Sequence, residues 1–259
     1  MSRDTGSAET ALIPAAAAAR PARRAARTVT ALPQPQCALD SAVKWLGSCL
    51  PAGFGLSAAP ITDRPAGDFA AEELLIARAA GKRRNEFRTG RVLARQALAQ
   101  IGCAPAAILA RAQRDPVWPA GFLGSITHSE RLVFAVAAPS NLIEGVGIDV
   151  EDDPELDKRL TSIVCRSDER QQQPELAKLG IDHAKLCFVT KEAVFKSIFP
   201  QQRSALGFEQ LRIFFHIPER SFSVCVRNAQ REFSPLRGIG RFLCGPELLM
   251  AAFVIRRRA

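Results

Sequence analysis

The chain has 259 residues, of which 47% are hydrophobic and 24% charged, an ordinary globular composition with room for one large domain or two small ones. Thirty-five Lys and Arg against 26 Asp and Glu leave a formal charge of +9, which favours phosphates, nucleic acid or acidic protein surfaces as partners without choosing among them. The longest apolar runs, such as 132–139 and 248–255, fall short of the roughly 18 residues that a spanning helix needs, which excludes a membrane-embedded helical protein.

Residues 1–36 are rich in Ala, Pro, Arg and Gln and carry five Arg against one Asp and one Glu. Nothing there can build a core, and the stretch reads as a disordered arm. It lacks the apolar centre of a secretory signal, although its composition would also suit an organelle transit peptide. The seven cysteines stand singly, the closest pair twelve positions apart. That spacing argues against a zinc cage and a disulfide framework and suits a reducing, cytoplasmic location.

Past the arm, Asp68 to Ile76 has a cap residue followed by acids in its first turn and predicts a helix start, interrupted near Gly81. A second helix runs from about Arg83 to Ile101 and ends at Gly102. The Pro- and Gly-rich stretch 114–121 predicts a loop leading into Gly124-Ser125-Ile126-Thr127-His128-Ser129. Leu132–Ala138 and Gly145–Glu151 predict strands joined by a short turn. The polar stretch 152–182, broken at Gln171-Gln172-Gln173-Pro174, predicts a helix and loop excursion, and a helix from about Lys185 stops before Pro200. Runs 208–217, 222–226 and 248–255 predict strands with Gly-rich turns between them. Helix then strands occurs twice, which hints at two similar halves meeting near residue 146.

Four constellations could carry chemistry. In Gly147-Ile148-Asp149-Val150-Glu151, strand alternation sends Asp149 and Glu151 to one face. Paired hard oxygen ligands suit Mg²⁺, whereas a solvated acidic strand end is the plainer alternative. On the helix after Lys185, positions 188, 192, 195 and 199 share one arc, which places Glu192 among Phe188, Phe195 and Phe199. A carboxylate on an apolar face is costly unless it serves a site, and the alternative is an exposed Glu192 to Lys196 pair. On the preceding helix Arg84, Arg88, Arg91 and Arg95 form a row that could hold a polyanion or simply face water. Finally, 124–129 brings hydroxyls beside His128, but no nucleophile elbow, Walker loop or dinucleotide fingerprint is present.

The succession Arg-Arg-Asn-Glu-Phe-Arg-Thr-Gly-Arg (83–91), Pro-Val-Trp-Pro-Ala-Gly (116–121), Gly-Ser-Ile-Thr-His-Ser (124–129), Gly-Ile-Asp-Val-Glu (147–151) and Lys-Glu-Ala-Val-Phe-Lys (191–196) resembles the 4'-phosphopantetheinyl transferases of the enterobactin synthase component D type. The resemblance covers roughly residues 60 to 255. It implies an α+β fold built as a pseudo-dimer of two similar subdomains, 37–146 and 147–259, with coenzyme A in the cleft between them. It also implies Mg²⁺-dependent transfer of the phosphopantetheine arm of coenzyme A to a serine of an apo acyl or peptidyl carrier protein, releasing 3',5'-ADP.

By motif, Asp149, Glu151 and Glu192 would hold Mg²⁺, Glu192 would also take the proton of the carrier serine, and Lys196 would steady the departing phosphate. Lys191 would contact phosphate, Arg83 and Arg91 would grip the 3'-phosphate region, and Thr127 and His128 would bind the coenzyme, with Arg84 and Arg88 as helpers. Val189 departs from the family, which often has a small hydroxyl residue there. The resemblance further implies a monomer that docks the acidic helix of its carrier, in fatty acid, polyketide, siderophore or peptide synthesis. Two other readings of the same residues are a Mg²⁺-dependent nucleotide phosphohydrolase and a basic nucleic-acid-binding module. The first would cleave coenzyme A without modifying a carrier. The second would show steeply salt-dependent binding, though the chain has no Tyr for a stacking platform.

Overall fold

The computed structural model describes residues 35–152, 156–199, 206–228, 232–245 and 247–257. All but the last two residues of the predicted N-terminal arm, and Pro200, lie outside them. Residues 33–259 cluster as one compact unit. The elements run α1 (Pro35–Cys49), β1 (Gly55–Pro60), α2 (Ala70–Leu75), α3 (Gly81–Gln100), β2 (Phe122–His128), β3 (Leu132–Pro139), β4 (Ile143–Glu151), α4 (Thr161–Val164), α5 (Gln173–Lys178), α6 (His183–Ile198), β5 (Leu211–His216), β6 (Ser221–Arg227), β7 (Phe233–Cys244) and β8 (Leu249–Arg256). Two antiparallel sheets result, one ordered β1-β3-β2 and the other β4-β8-β7-β6-β5. The fold is α+β.

Strand alternation explains how the layers assemble. On β3, Val133, Ala135 and Ala137 pack under Leu93, Ala94, Ala97 and Leu98 of α3, while Leu132, Phe134, Val136 and Ala138 face the other way. That second face meets Val146, Ile148 and Val150 of β4 and Met250, Ala252 and Val254 of β8, closed at one side by Leu39, Ala42 and Leu46 of α1. A strand buried on both faces is read as a continuous apolar run, and β3 is one. The other faces of β4 and β8 look toward α6, whose Leu186, Val189, Ala193 and Val194 belong to the core of β5 to β8.

Between β4 and α6 the approach is unusually close. A Cβ on Gly145 would lie 2.0 Å from the Ser197 carbonyl oxygen, and one on Gly147 would lie 1.8 Å from that of Ala193. Only glycine fits at these two points. Continuing on the same face of β4, Asp149 and Glu151 therefore arrive beside the helix.

Several sequence expectations need correction. The sequence reading assigns no element to 37–67, yet α1 and β1 lie there. Gly81 opens α3 rather than interrupting a helix, and Pro174 sits in the first turn of α5, where its missing N–H costs nothing. The Gly-rich stretch before 248 is the twelve-residue strand β7. Its glycines are spacers for rings: a Cβ on Gly238 would strike Phe253 at 2.3 Å and one on Gly240 would come within 2.8 Å of the Phe222 ring, and those two rings stack 5.8 Å apart.

Gly147→Ala is expected to lift α6 from β4 and to cost about 1–3 kcal/mol, the usual range for overpacking. Gly81→Ala, whose added methyl meets nothing within 4 Å, is expected to be neutral or slightly stabilising. Urea denaturation midpoints of the two variants check the contrast.

Candidate active site

The edge strand of each sheet meets the other here, β2 from one and β4 from the other. Side chains, not a backbone ladder, stitch them: Ile148 N–H donates to Ser125 Oγ at 3.1 Å, and Thr127 Oγ1 donates to Asp149 Oδ1 at 2.9 Å. Two of the three hydroxyls of the 124–129 motif thus hold β4 in place, from within strand β2 rather than ahead of it. On the helix side, Lys185, Glu192 and Lys196 lie within about 40° of arc at 100° per residue, so all three face β4. Lys196 Nζ sits 2.6 Å from Asp149 Oδ1 and donates also to the Ile148 carbonyl at 3.2 Å and Thr127 Oγ1 at 3.3 Å. Lys185 Nζ sits 2.8 Å from Glu151 Oε2. Sequence reasoning missed Lys185; its position seven residues before Glu192 was the available signal.

Three carboxylates and two ammonium groups therefore share one half-buried space. Burial pushes the Glu192 carboxyl up to about 7, and the charge of Asp149, followed by that of Glu151, adds to the effect against the opposing pull of Lys196. Glu151 is raised by burial, opposed by Lys185 and reinforced by Asp149. Burial works against the charge on Lys196, but Asp149 and Glu192 outweigh it and keep the ammonium protonated. Asp149 is 6% exposed, and its Oδ2 is buried with no hydrogen-bond partner. An orphaned carboxylate oxygen beside two further carboxylates is a donor set that fits a hard divalent cation such as Mg²⁺. In this structure the oxygens are not all gathered within 4.8 Å of one another, and Lys185 and Lys196 supply the positive charge.

At the rim, Arg83 Nη1 donates to His128 Nε2 at 3.1 Å and to Glu86 Oε2 at 3.2 Å, while His128 Nδ1 donates to the Ser129 carbonyl at 3.2 Å. These partners define the tautomer, with the proton on Nδ1. Burial lowers the His128 pKa, so the ring is neutral at pH 7. The Arg83 side chain is 47% exposed, whereas Arg91 is 5% exposed, lies over the Phe87 ring and has an Nε without a partner. Burial lowers the Arg91 pKa to about 10.

Other predicted positions fall elsewhere. Lys191 is a correction: fully buried, it spends its ammonium protons on Glu169 Oε2 at 2.7 Å and on the Val164 and Phe208 carbonyls, and it does not reach the site. The arginine row is not a continuous solvated face, since Arg84 alone of the four is exposed. Arg88 forks onto Glu73 and the Arg64 carbonyl, and Arg95 pairs with Glu72, which also accepts from Ile108 N–H, so these two residues clamp α2 and the loop before β2 to α3. The face of α6 that carries Phe188, Phe195 and Phe199 is half-buried rather than core.

Residues 71–138 match the 4'-phosphopantetheinyl transferase N-terminal domain and residues 145–238 the 4'-phosphopantetheinyl transferase superfamily. The chain is 38% identical over 144 residues to the 4'-phosphopantetheinyl transferase PptT of Mycobacterium tuberculosis, which is 56% of this chain and 63% of that protein. It is 36% identical over 152 residues to the 4'-phosphopantetheinyl transferase Npt of Nocardia iowensis, 58% of this chain and 68% of that one. With enterobactin synthase component D of Salmonella typhimurium it shares 29% identity over 178 residues, 65% of this chain and 73% of the other. The match to the Mycobacterium tuberculosis protein thus spans a little under two thirds of its length.

The Glu192 pKa sets a stability prediction. In the unfolded chain its carboxyl ionises near 4.5 and in the fold near 7, so folding loses stability as pH rises between those values and the whole penalty is present above 7. With a chelator present at pH 8, Glu192→Gln is expected to raise the melting temperature, at roughly 2–4 °C per kcal/mol relieved. At pH 4 the two proteins should melt together, as calorimetry at both values would check.

Proposed function

Because this chain belongs to the 4'-phosphopantetheinyl transferase superfamily, we propose that it transfers the 4'-phosphopantetheine group of coenzyme A to a serine of an apo carrier protein and releases 3',5'-ADP. The observation that carries this reading is the half-buried acidic cluster of Asp149, Glu151 and Glu192, with Lys196 against it and an unpartnered oxygen on Asp149. In the proposal residues 37–146 and 147–259 supply two subdomains and coenzyme A lies between them, beside β4. Asp149, Glu151 and Glu192 would hold Mg²⁺, which would neutralise charge on the pyrophosphate of the coenzyme.

Each side chain then has a defined task. Glu192, whose carboxyl ionises near neutral pH, suits a general base, taking the proton from the carrier serine hydroxyl directly or through water. The serine oxygen attacks the β-phosphorus, the bond from that phosphorus to the bridging oxygen breaks, and 3',5'-ADP departs with the bonding pair. Lys196, protonated throughout, neutralises the negative charge that builds on the leaving phosphate. Thr127 is a positioning residue, since its hydroxyl is spent on Asp149 and Lys196. At the rim Arg83 would offer its guanidinium to the 3'-phosphate, positioned by the neutral His128 whose Nε2 accepts from it, and the buried Arg91 would add positive charge nearby. The formal charge of +9 suits steering of an acidic carrier helix toward the site.

Incubation with coenzyme A, Mg²⁺ and an apo carrier protein is expected to add the mass of one phosphopantetheine to the carrier. Cleavage of the coenzyme with no change in carrier mass would favour the phosphohydrolase instead. Asp149→Ala and Glu192→Gln are each expected to lower transfer by at least a hundredfold while circular dichroism and melting show a folded protein. Raising salt from about 50 to 500 mM should raise the carrier KM more than it lowers kcat, because it screens encounter rather than chemistry. A salt-independent carrier KM would rule out electrostatic docking.

A further inference from the structure

The wide spacing of the cysteines predicts no metal cage, but the fold closes part of that distance. Cys165 caps the C-terminus of α4, His183 is the first residue of α6, and Cys187 follows one turn later on the same helix face. All three are buried, at 2%, 4% and 0% exposure, far from water for a polar trio. Cys187 Sγ lies 3.6 Å from His183 Nε2, and Cys165 Sγ lies 3.9 Å from His183 Nδ1. Among the described residues this is the one set of three thiol, imidazole or carboxylate ligands whose donor atoms all lie within 4.8 Å of one another.

A cation would take one ring nitrogen of His183, and the distance from each nitrogen to its nearer sulfur is close to what a soft ion demands. Bonds of about 2.3 Å to sulfur and 2.0 Å to nitrogen at a tetrahedral angle set an S···N edge of roughly 3.6 Å. Two thiolates with one divalent cation leave the buried cluster without net charge.

We propose that Cys165, His183 and Cys187 form a structural site for a thiophilic d¹⁰ cation, Zn(II) or Cu(I), distinct from the acidic cluster. Sulfur and imidazole ligands select such ions over Mg²⁺, whose hard-oxygen site lies on the β4 face of α6. The cation would clip the excursion 156–182 to the start of α6. The His183 ring already packs edge-on against Phe215 of β5, 6.0 Å between centroids, and the Lys191–Glu169 pair ties the same excursion to the same helix. This assignment is independent of the proposed transferase activity.

The full-length protein, stripped with chelator under reducing conditions, is loaded with Zn(II), Co(II) or Cu(I) separately and desalted. The expected result is about one Zn(II) or one Cu(I) per chain by elemental analysis, and with Co(II) a sulfur-to-cobalt charge-transfer band. Retention of Zn(II) against a Cu(I) competitor, or its displacement, tells which ion the site prefers. Cys165→Ser is expected to reduce retention and the band at least tenfold, while Cys225→Ser leaves both unchanged. Should the buried variant not fold, the wild type still decides the matter: bound metal is expected to shield Cys165 and Cys187 from alkylation on mild heating, as read by peptide mass. No metal retained, a cobalt complex without the sulfur band, or a 165–187 disulfide forming in air in protein that takes up no metal would each overturn the assignment.

Discussion

Everything at the acidic site depends on how closely the backbone of α6 rests on β4. Two glycines on one face of the strand allow helix carbonyls to sit where a methyl group would otherwise stand. That contact sets the height of the helix over the strand, and the same strand face then delivers Asp149 and Glu151 to Lys196 and Lys185. Close packing of this kind is stiff, because interiors tolerate little change in volume. A site built on it is held by a helix and a sheet rather than by loops, which suits chemistry that consists largely of positioning charges.

The cluster is electrostatically unfavourable by construction. A Glu pushed to neutral pKa by burial and by two neighbouring acids is strain held in charge rather than in bond angles. The surrounding fold compensates elsewhere: Arg88 with Glu73, Arg95 with Glu72, and Lys191 with Glu169 are well-made pairs away from the acids. Each fastens a short or irregular segment to a long helix. Several basic side chains of this protein are therefore internal clamps, and the number of basic residues alone does not disclose it.

Much of the site was legible from periodicity. Alternation along β4 put Asp149 and Glu151 on one face, and helical periodicity marked Glu192 as a carboxylate on the stripe of Phe188, Phe195 and Phe199. What the residues could not disclose was the tertiary reason for neighbouring choices. Gly238 and Gly240 read as turn residues because glycine usually is one there; in β7 they make room for Phe253 and Phe222, and packing overrides propensity. The α1 helix has Leu39, Ala42 and Leu46 on one face, but the Ala/Pro-rich composition before it hid the period. Cys165 and His183 meet through a chain reversal that no local pattern encodes.

Lys191 and Lys196 make the same point at the scale of one helix. Both belong to one six-residue motif, and motif matching treats them as equivalent candidates for phosphate. Five residues of α-helix turn through about 500°, which leaves the two side chains some 140° apart. One must therefore face away from the strand that the other faces. Lys196 goes to β4 and the acids, and Lys191 goes to Glu169 and the core. With Glu192 turned toward the acids, the 100° step to Lys191 carries its ammonium away from them, whatever the ligand in the site. Helix phase, a property of the motif's spacing alone, is what separates the catalytic candidate from the structural one.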